Sequence, residues 1–170
     1  PRAMNVYPRL SVTANSGDRI EVKSERYEVG GCYDDEGKST NGFRFEYICK
    51  AESQTFEFPQ TLYGERLIFS ITPGVKVQAL GYRESLYGSV DDGELRTDDE
   101  FLGALQEKCA DTLVGCMREG FVDTPERGNY VLPAAASVGA DGAFYLFEDG
   151  GVALAEKFMA DTLELAENDI

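Results

Sequence analysis

The chain has 170 residues, 42% of them hydrophobic and 11% aromatic, which suits one ordinary domain, or a small domain with a helical extension, and excludes a disordered chain. Its 31 Asp and Glu against 16 Lys and Arg leave a formal charge of −15, a field that repels phosphate backbones and anionic lipid, so no nucleic acid and no membrane is expected as a partner. The absence of histidine excludes Ser-His-Asp and Cys-His machinery and any histidine metal site, and the absence of tryptophan leaves stacking to Tyr and Phe.

Residues 1–6 are expected to be a leader or processing remnant, because the chain opens on Pro1 rather than Met. No charged start followed by an apolar stretch marks a signal peptide, and no apolar run approaches the roughly 18 residues of a membrane span. From residue 7 the sequence reads as β-structure. Six runs, 9–14, 19–29, 43–50, 55–59, 66–72 and 75–85, are rich in β-branched and aromatic residues with apolar and polar positions alternating. In "FRFEYICK", Phe43, Phe45, Tyr47 and Cys49 share one face and Arg44, Glu46 and Lys50 the other, with Ile48 as the exception. Turn signals separate the runs: "NSGD" at 15–18, "DDEGKSTNG" at 34–42 and "TPG" at 72–74. Short strands at this spacing with no helix between them favour an antiparallel sandwich.

The glycine- and acid-rich segment 87–99 predicts the boundary, giving a β-sandwich domain over 7–96 and a helical segment over 97–170. The spacing then predicts a helix over 97–120, opening on a capping box of Thr97 and Glu100 and closing at Gly120. Its expected buried stripe is Leu102, Leu105, Cys109, Leu113 and Cys116. A second helix, weakened by Gly139 and Gly142, is expected within 133–149. A third is expected over 150–168, with Leu154, Ala155, Phe158, Met159, Leu163 and Ala166 on its apolar face. The fold class is therefore β-rich α+β, an antiparallel β-sandwich followed by two or three α-helices.

None of Cys32, Cys49, Cys109 and Cys116 has CxxC spacing. Cys109 and Cys116 would stand roughly 10 Å apart along one helix, beyond disulfide reach. All four read as buried free thiols, with a Cys32–Cys49 bridge left open by the sequence.

Several clusters could carry chemistry. The acids Asp34, Asp35 and Glu36, then Asp91, Asp92 and Glu94, then Asp98, Asp99 and Glu100 lack the alternating ligand pattern of a calcium loop and read as solvated turns and helix-start acids. No metal or cofactor is expected, and no glycine motif cradles a phosphate. Tyr27, Tyr33, Tyr47, Tyr63, Tyr82, Tyr87, Tyr130 and Tyr145 either line a ligand face or fill a core with their hydroxyls at its edge. The stretch "CMREGFVDTPERGNY", 116–130, brings Glu119, Asp123 and Glu126 together behind the first helix. Paired carboxylates flanking a scissile bond serve glycoside hydrolysis, but a polar loop at a helix end is also an ordinary solvated connector.

Residues 7–128, through "GYRES" and "FLGALQEKCADTLVGCMREGFVDTPERG", resemble bacterial α-L-rhamnosidases of the inverting, glycoside hydrolase family 78 type. The resemblance implies a β-sandwich running into the first helices of an (α/α)6 barrel, with catalytic acids on a loop of the form D-x-P-x-R-x-E-R or D-C-P-D-R-E-R-G-x-W-x-G-D. Asp123 and Pro125 match the D-x-P. With two residues deleted, Glu126 matches the general acid and Arg127 its neighbour; without the deletion, Glu126 and Arg127 match the earlier D-R pair and the acid is absent. The resemblance thus implies Glu126 and Asp123 as catalytic residues and Arg127 and Tyr130 as substrate-binding residues. Tyr130 stands where the family has tryptophan, and Leu132 and Pro133 stand where it has a G-D pair. Twelve barrel helices and the distant catalytic base do not fit after residue 97. The expectation is a fragment or degenerate relative of a rhamnosidase, inactive as an isolated chain, whose parent family hydrolyses terminal rhamnose of a glycan in the periplasm or outside the cell; the compartment of this chain is left open by its sequence. The alternative is a non-catalytic carbohydrate-binding or structural sandwich module.

Overall fold

The computed structural model describes residues 2–27, 42–87, 96–125, 133–147 and 149–168, with the side chains of 133, 135 and 165–168 excepted. The described residues group into two compact units, one ending at Ser85 and the other beginning at Leu86.

The first unit is two packed antiparallel sheets. In the larger, β1 (Met4–Ala14) pairs along one edge with β7 (Lys76–Glu84) and along the other with β4 (Glu52–Glu57) and then β5 (Leu62–Gly64). In the smaller, β2 (Arg19–Ser24) lies between β3 (Arg44–Ile48) and β6 (Leu67–Ile71). The sheet starts earlier than the apolar pattern predicts. Met4, Asn5 and Val6 pair with Gly64, Tyr63 and Leu62, so this half of the expected leader is a strand, and Val6 is buried because Leu62 beside it is.

Alternation sends Leu10, Val12 and Ala14 of β1 and Ile20 and Val22 of β2 into one shared core with Phe43, Phe58 and Leu62. On β3 the expected faces appear: Phe43 and Cys49 are buried, Phe45 and Tyr47 half-buried, and Ile48 is 60% exposed. Aromatic rings bridge the sheets at the β3 and β4 side, where Tyr47 stacks on Phe56 at 4.4 Å and Phe45 on Phe58 at 5.4 Å. The β6 and β7 side is not closed in this way, and Val77, Leu80 and Tyr82 stay 42–56% exposed on the inward-facing side of β7.

Two turns form as the residues dictate. Gly17 and Gly74 take the left-handed backbone, φ 93° and 102°, within "NSGD" and "TPG". β2 is shorter than the run 19–29 predicts. The Ser24 hydroxyl accepts from the Arg26 amide at 3.2 Å, and the chain leaves the sheet for a 3-10 turn at Glu25–Tyr27. The Glu25 carboxylate then accepts from the amides of Glu65 and Arg66, at 2.8 and 2.9 Å.

The second unit holds α1 (Glu100–Cys116), α2 (Pro133–Leu146) and α3 (Gly150–Asn168). α1 is capped by Asp99, not by Thr97 as predicted. The Asp99 carboxylate accepts from the amides of Phe101 and Leu102 at 2.9 and 3.2 Å, while the Thr97 hydroxyl accepts only from the Asp99 amide. The predicted stripe is covered only at its C-terminal end. Leu102 and Leu105 are 44% and 47% exposed and Cys109 is exposed, whereas Leu113 is half-buried and Cys116 buried, with Ala110 and Val114 buried beside them. Gly139 and Gly142 have a packing role in α2: a Cβ at Gly139 would lie 2.8 Å from the Phe121 ring, and one at Gly142 would lie 3.3 Å from Leu113. On α3, Leu154 is fully buried with Ala155 and Phe158 packed beside it, but Met159 and Leu163 are both 62% exposed.

Candidate functional site

α1 ends at Cys116, four residues before the glycine that was the expected stop. Met117 leaves helical geometry at φ −90° and ψ 98° while its amide still donates to the Val114 carbonyl. The chain then reverses. The Arg118 amide donates to the Gly120 carbonyl and the Val122 amide to the Cys116 carbonyl, each at 3.0 Å, and Met117 bridges Phe121. Met117, Phe121 and Val122 are buried, so an apolar floor holds the loop in one conformation.

The loop's charged residues are built into that floor. Arg118 is only 4% exposed, and its Nη2 donates to the Pro125 carbonyl, the last peptide oxygen before Glu126. From α3, Lys157 Nζ donates to the Glu119 carbonyl and to Asp161 Oδ2, both at 2.7 Å. The hydrogen bond from its ammonium to Asp161 raises the Lys157 pKa above its ordinary value. Asp123 is half-buried, and its Oδ1 accepts from the Thr124 amide at 2.8 Å. Among the described residues the buried Thr124 hydroxyl has no hydrogen-bond partner, which costs free energy unless another group satisfies it.

Cys116 beneath the loop is a thiol. Burial pushes its pKa up to about 11, with the nearby Asp123 charge adding to the rise and Arg118 opposing it. A thiol that stays protonated at neutral pH is a poor nucleophile. Cys49 is a buried free thiol and Cys109 an exposed one, so Cys49 makes no bridge and Cys109 is not the buried group expected; Cys32 lies outside the described residues.

Of the residues singled out from sequence, Asp123 is placed on this reversal. Glu126, Arg127 and Tyr130 lie outside the described residues, as do the acid clusters at 34–36 and 91–94. Among the described residues no group of three or more His, Cys, Asp or Glu is gathered as a metal-ligand set. Sequence reasoning missed the two cations that brace the loop. Arg118 is embedded in a stretch otherwise read for its acids, and Lys157, the one base of α3, was open to notice for that reason.

A second concavity lies on the first unit. Between β6 and β7 a cleft of about 330 Å³ is lined by Leu67, Phe69, Leu80 and Tyr82, with Glu65 and Arg66 at its rim. Tyr82 is 56% exposed and lines this cleft together with Glu65 and Arg66.

Two antiparallel sheets of seven strands, followed by three helices, define a β-rich α+β chain with an acid-bearing loop behind its first long helix. The fold is similar to the crystal structure of a GH78 family rhamnosidase of Bacillus sp. GL1, with a TM-score of 0.66 and 22% sequence identity. The match covers 89% of this chain and 16% of that one, so this chain spans a small part of that enzyme's length. At this identity the likeness is one of fold. No family model matches the sequence, and no characterised protein's sequence matches it.

Proposed function

We propose that these residues are the sandwich and first helices of a rhamnosidase-type glycoside hydrolase. The observation that carries this reading is the braced reversal at the end of α1, which holds Asp123 three residues before Glu126 in the chain. The likeness of fold to a rhamnosidase supports it. In this reading Glu126 donates a proton to the glycosidic oxygen, Asp123 and Arg127 hold hydroxyls of the sugar, and Tyr130 supplies the apolar face that the family's tryptophan gives. The base that activates water on the opposite face of the ring is supplied from outside this chain, so the chain by itself binds and does not turn over. Calorimetry should find rhamnose binding that weakens in Asp123→Asn, and aryl rhamnoside should remain uncleaved. Ordinary turnover abolished by Glu126→Gln would overturn the incompleteness of the site, and rhamnose binding indifferent to Asp123→Asn would overturn its location.

The cleft at Tyr82 favours a second reading, a sandwich module that binds carbohydrate without catalysis. An exposed tyrosine in a cleft also lined by a glutamate and an arginine offers both the apolar and the hydrogen-bonding partners of a pyranose. Sugar binding that survives Glu126→Gln and is lost in Tyr82→Ala would select this reading over the first.

A further inference from the structure

The tip of the reversal behind α1 is held from outside the loop. Met117 and Phe121 bridge across the turn, which leaves Glu119 in its middle. The loop's own amides bond elsewhere, that of Arg118 to the Gly120 carbonyl and that of Val122 to the Cys116 carbonyl. The Glu119 carbonyl accepts instead from Lys157 Nζ, 38 residues on, at 2.7 Å. Apolar packing brings α3 to that point. Leu154 is buried in one cluster with Met117 and Phe121 of the loop, and Phe158 packs against the same cluster. Lys157, three residues after Leu154, shares that side of the helix, so its ammonium reaches the backbone at the cluster's edge. It also donates to Asp161 Oδ2, one turn along α3, at 2.7 Å, whereas the Glu119 carboxylate stands off at 3.9 Å. The sequence of α3 holds four acids, Glu156, Asp161, Glu164 and Glu167, and this one base, and the base is directed at a peptide oxygen of the loop.

We propose that Lys157 is a positioning residue of the sugar site, fastening α3 to the turn that carries Asp123; this rests on the rhamnosidase reading of the loop given above. Glu119 lies four residues before Asp123, and the Met117–Phe121 bridge and the Val122 bond tie that span to the end of α1. Water can replace the ammonium at an exposed turn, but it fixes no geometry. The loop then samples other arrangements, and the apparent affinity for a sugar falls with the fraction that keeps Asp123 in place. Lys157 acts through the backbone and touches no substrate.

The test uses the full chain, with rhamnose affinity read by calorimetry and loop order by amide exchange. Lys157→Met keeps the stem and removes both bonds of the ammonium, whereas Asp161→Ala removes only the one within α3. In Lys157→Met the Arg118 and Val122 amides should exchange about tenfold faster and rhamnose affinity should fall about threefold to tenfold, with Asp161→Ala close to the wild type on both. Lys157→Arg should recover most of the affinity, since a guanidinium can donate to both oxygens. Loss of α3 stability alone would show in both Lys157→Met and Asp161→Ala, without this split. A wild-type chain that binds no rhamnose, with the exchange difference present, would refute the rhamnosidase reading and leave Lys157 as the holder of the loop. Unchanged loop exchange in Lys157→Met, equal losses in Asp161→Ala, or unmoved affinity in a chain that does bind rhamnose would each overturn the proposal.

Discussion

Arg118 tests whether the loop behind α1 is a braced site or an ordinary connector. Its guanidinium is 4% exposed and donates to the Pro125 carbonyl, while its backbone amide donates to the Gly120 carbonyl and does not depend on the side chain. Arg118→Met keeps the buried stem and the backbone bonds but removes the charged donor, leaving the Pro125 oxygen unsatisfied. A hydrogen bond to a charged group contributes about 1.5–3 kcal/mol, and the uncharged thioether offsets part of the loss by lifting the desolvation of a buried cation, so about 1–2 kcal/mol of stability should go. In urea this is a midpoint lowered by roughly 0.5–1 M at an ordinary slope, followed by helical circular dichroism. Amide exchange then shows where the loss falls: amides of 119–124 should exchange faster, while those in the middle of α3 and in β1 and β2 keep their protection. Arg118→Lys should restore part of the exchange protection, as a donor without the planar fork. An unchanged urea midpoint together with unchanged loop exchange in Arg118→Met would refute the bracing.

The helix caps and glycines give predictions of opposite sign. Asp99→Ala should cost about 1 kcal/mol in thermal or urea unfolding, and Thr97→Ala distinctly less, because Asp99 satisfies two helix-start amides and Thr97 none of them. Gly139→Ala should destabilise by about 1–2 kcal/mol despite alanine's better helix propensity, since its Cβ would meet the buried Phe121 ring at 2.8 Å. Gly103→Ala in α1 meets nothing closer than 3.9 Å and should stabilise by up to about 1 kcal/mol, which the same melts would show. The Cys116 thiol has a folded pKa raised from 9.0 to about 11, so its contribution is full below pH 9.0 and is lost as pH rises through about 11. Cys116→Ala should therefore flatten the alkaline fall in stability by about 2 kcal/mol over that window; an unchanged fall would place its origin in other groups.

The sandwich was legible because a sheet with one wet face writes its register into the sequence. Phe43, Phe45, Tyr47 and Cys49 could share a face only as a strand, and even the misfit Ile48 is where alternation puts it, outside and 60% exposed. What escaped was set by single local contacts. The Ser24 hydroxyl ends β2 and Asp99 out-competes Thr97 as the cap, choices among short polar side chains whose propensities hardly differ. The start of β1 escaped for a different reason, because Met4, Asn5 and Val6 are recruited by Leu62–Gly64, a pairing partner far along the chain that no local pattern announces.

In the helices, periodicity identified the elements but not what their apolar faces meet. A stripe at three- and four-residue spacing says that something covers it, and for α1 the natural inference was the chain's own core. That holds only for the C-terminal half of α1, where Ala110, Val114 and Cys116 are buried and Leu113 is half-buried, while Leu102, Leu105 and Cys109 stay exposed. Val114 packs in one cluster with Met117 and Phe121 of the loop, while the larger Leu102 and Leu105 stay largely outside as an apolar excess on the exposed side. The same excess appears on α3 at Val152, Met159 and Leu163, again in the unit that holds nearly all of the net charge. Apolar surface kept in an acidic field is costly unless it is covered in use, so the faces that periodicity could not assign are the ones that the remaining helices of a larger helical domain would cover.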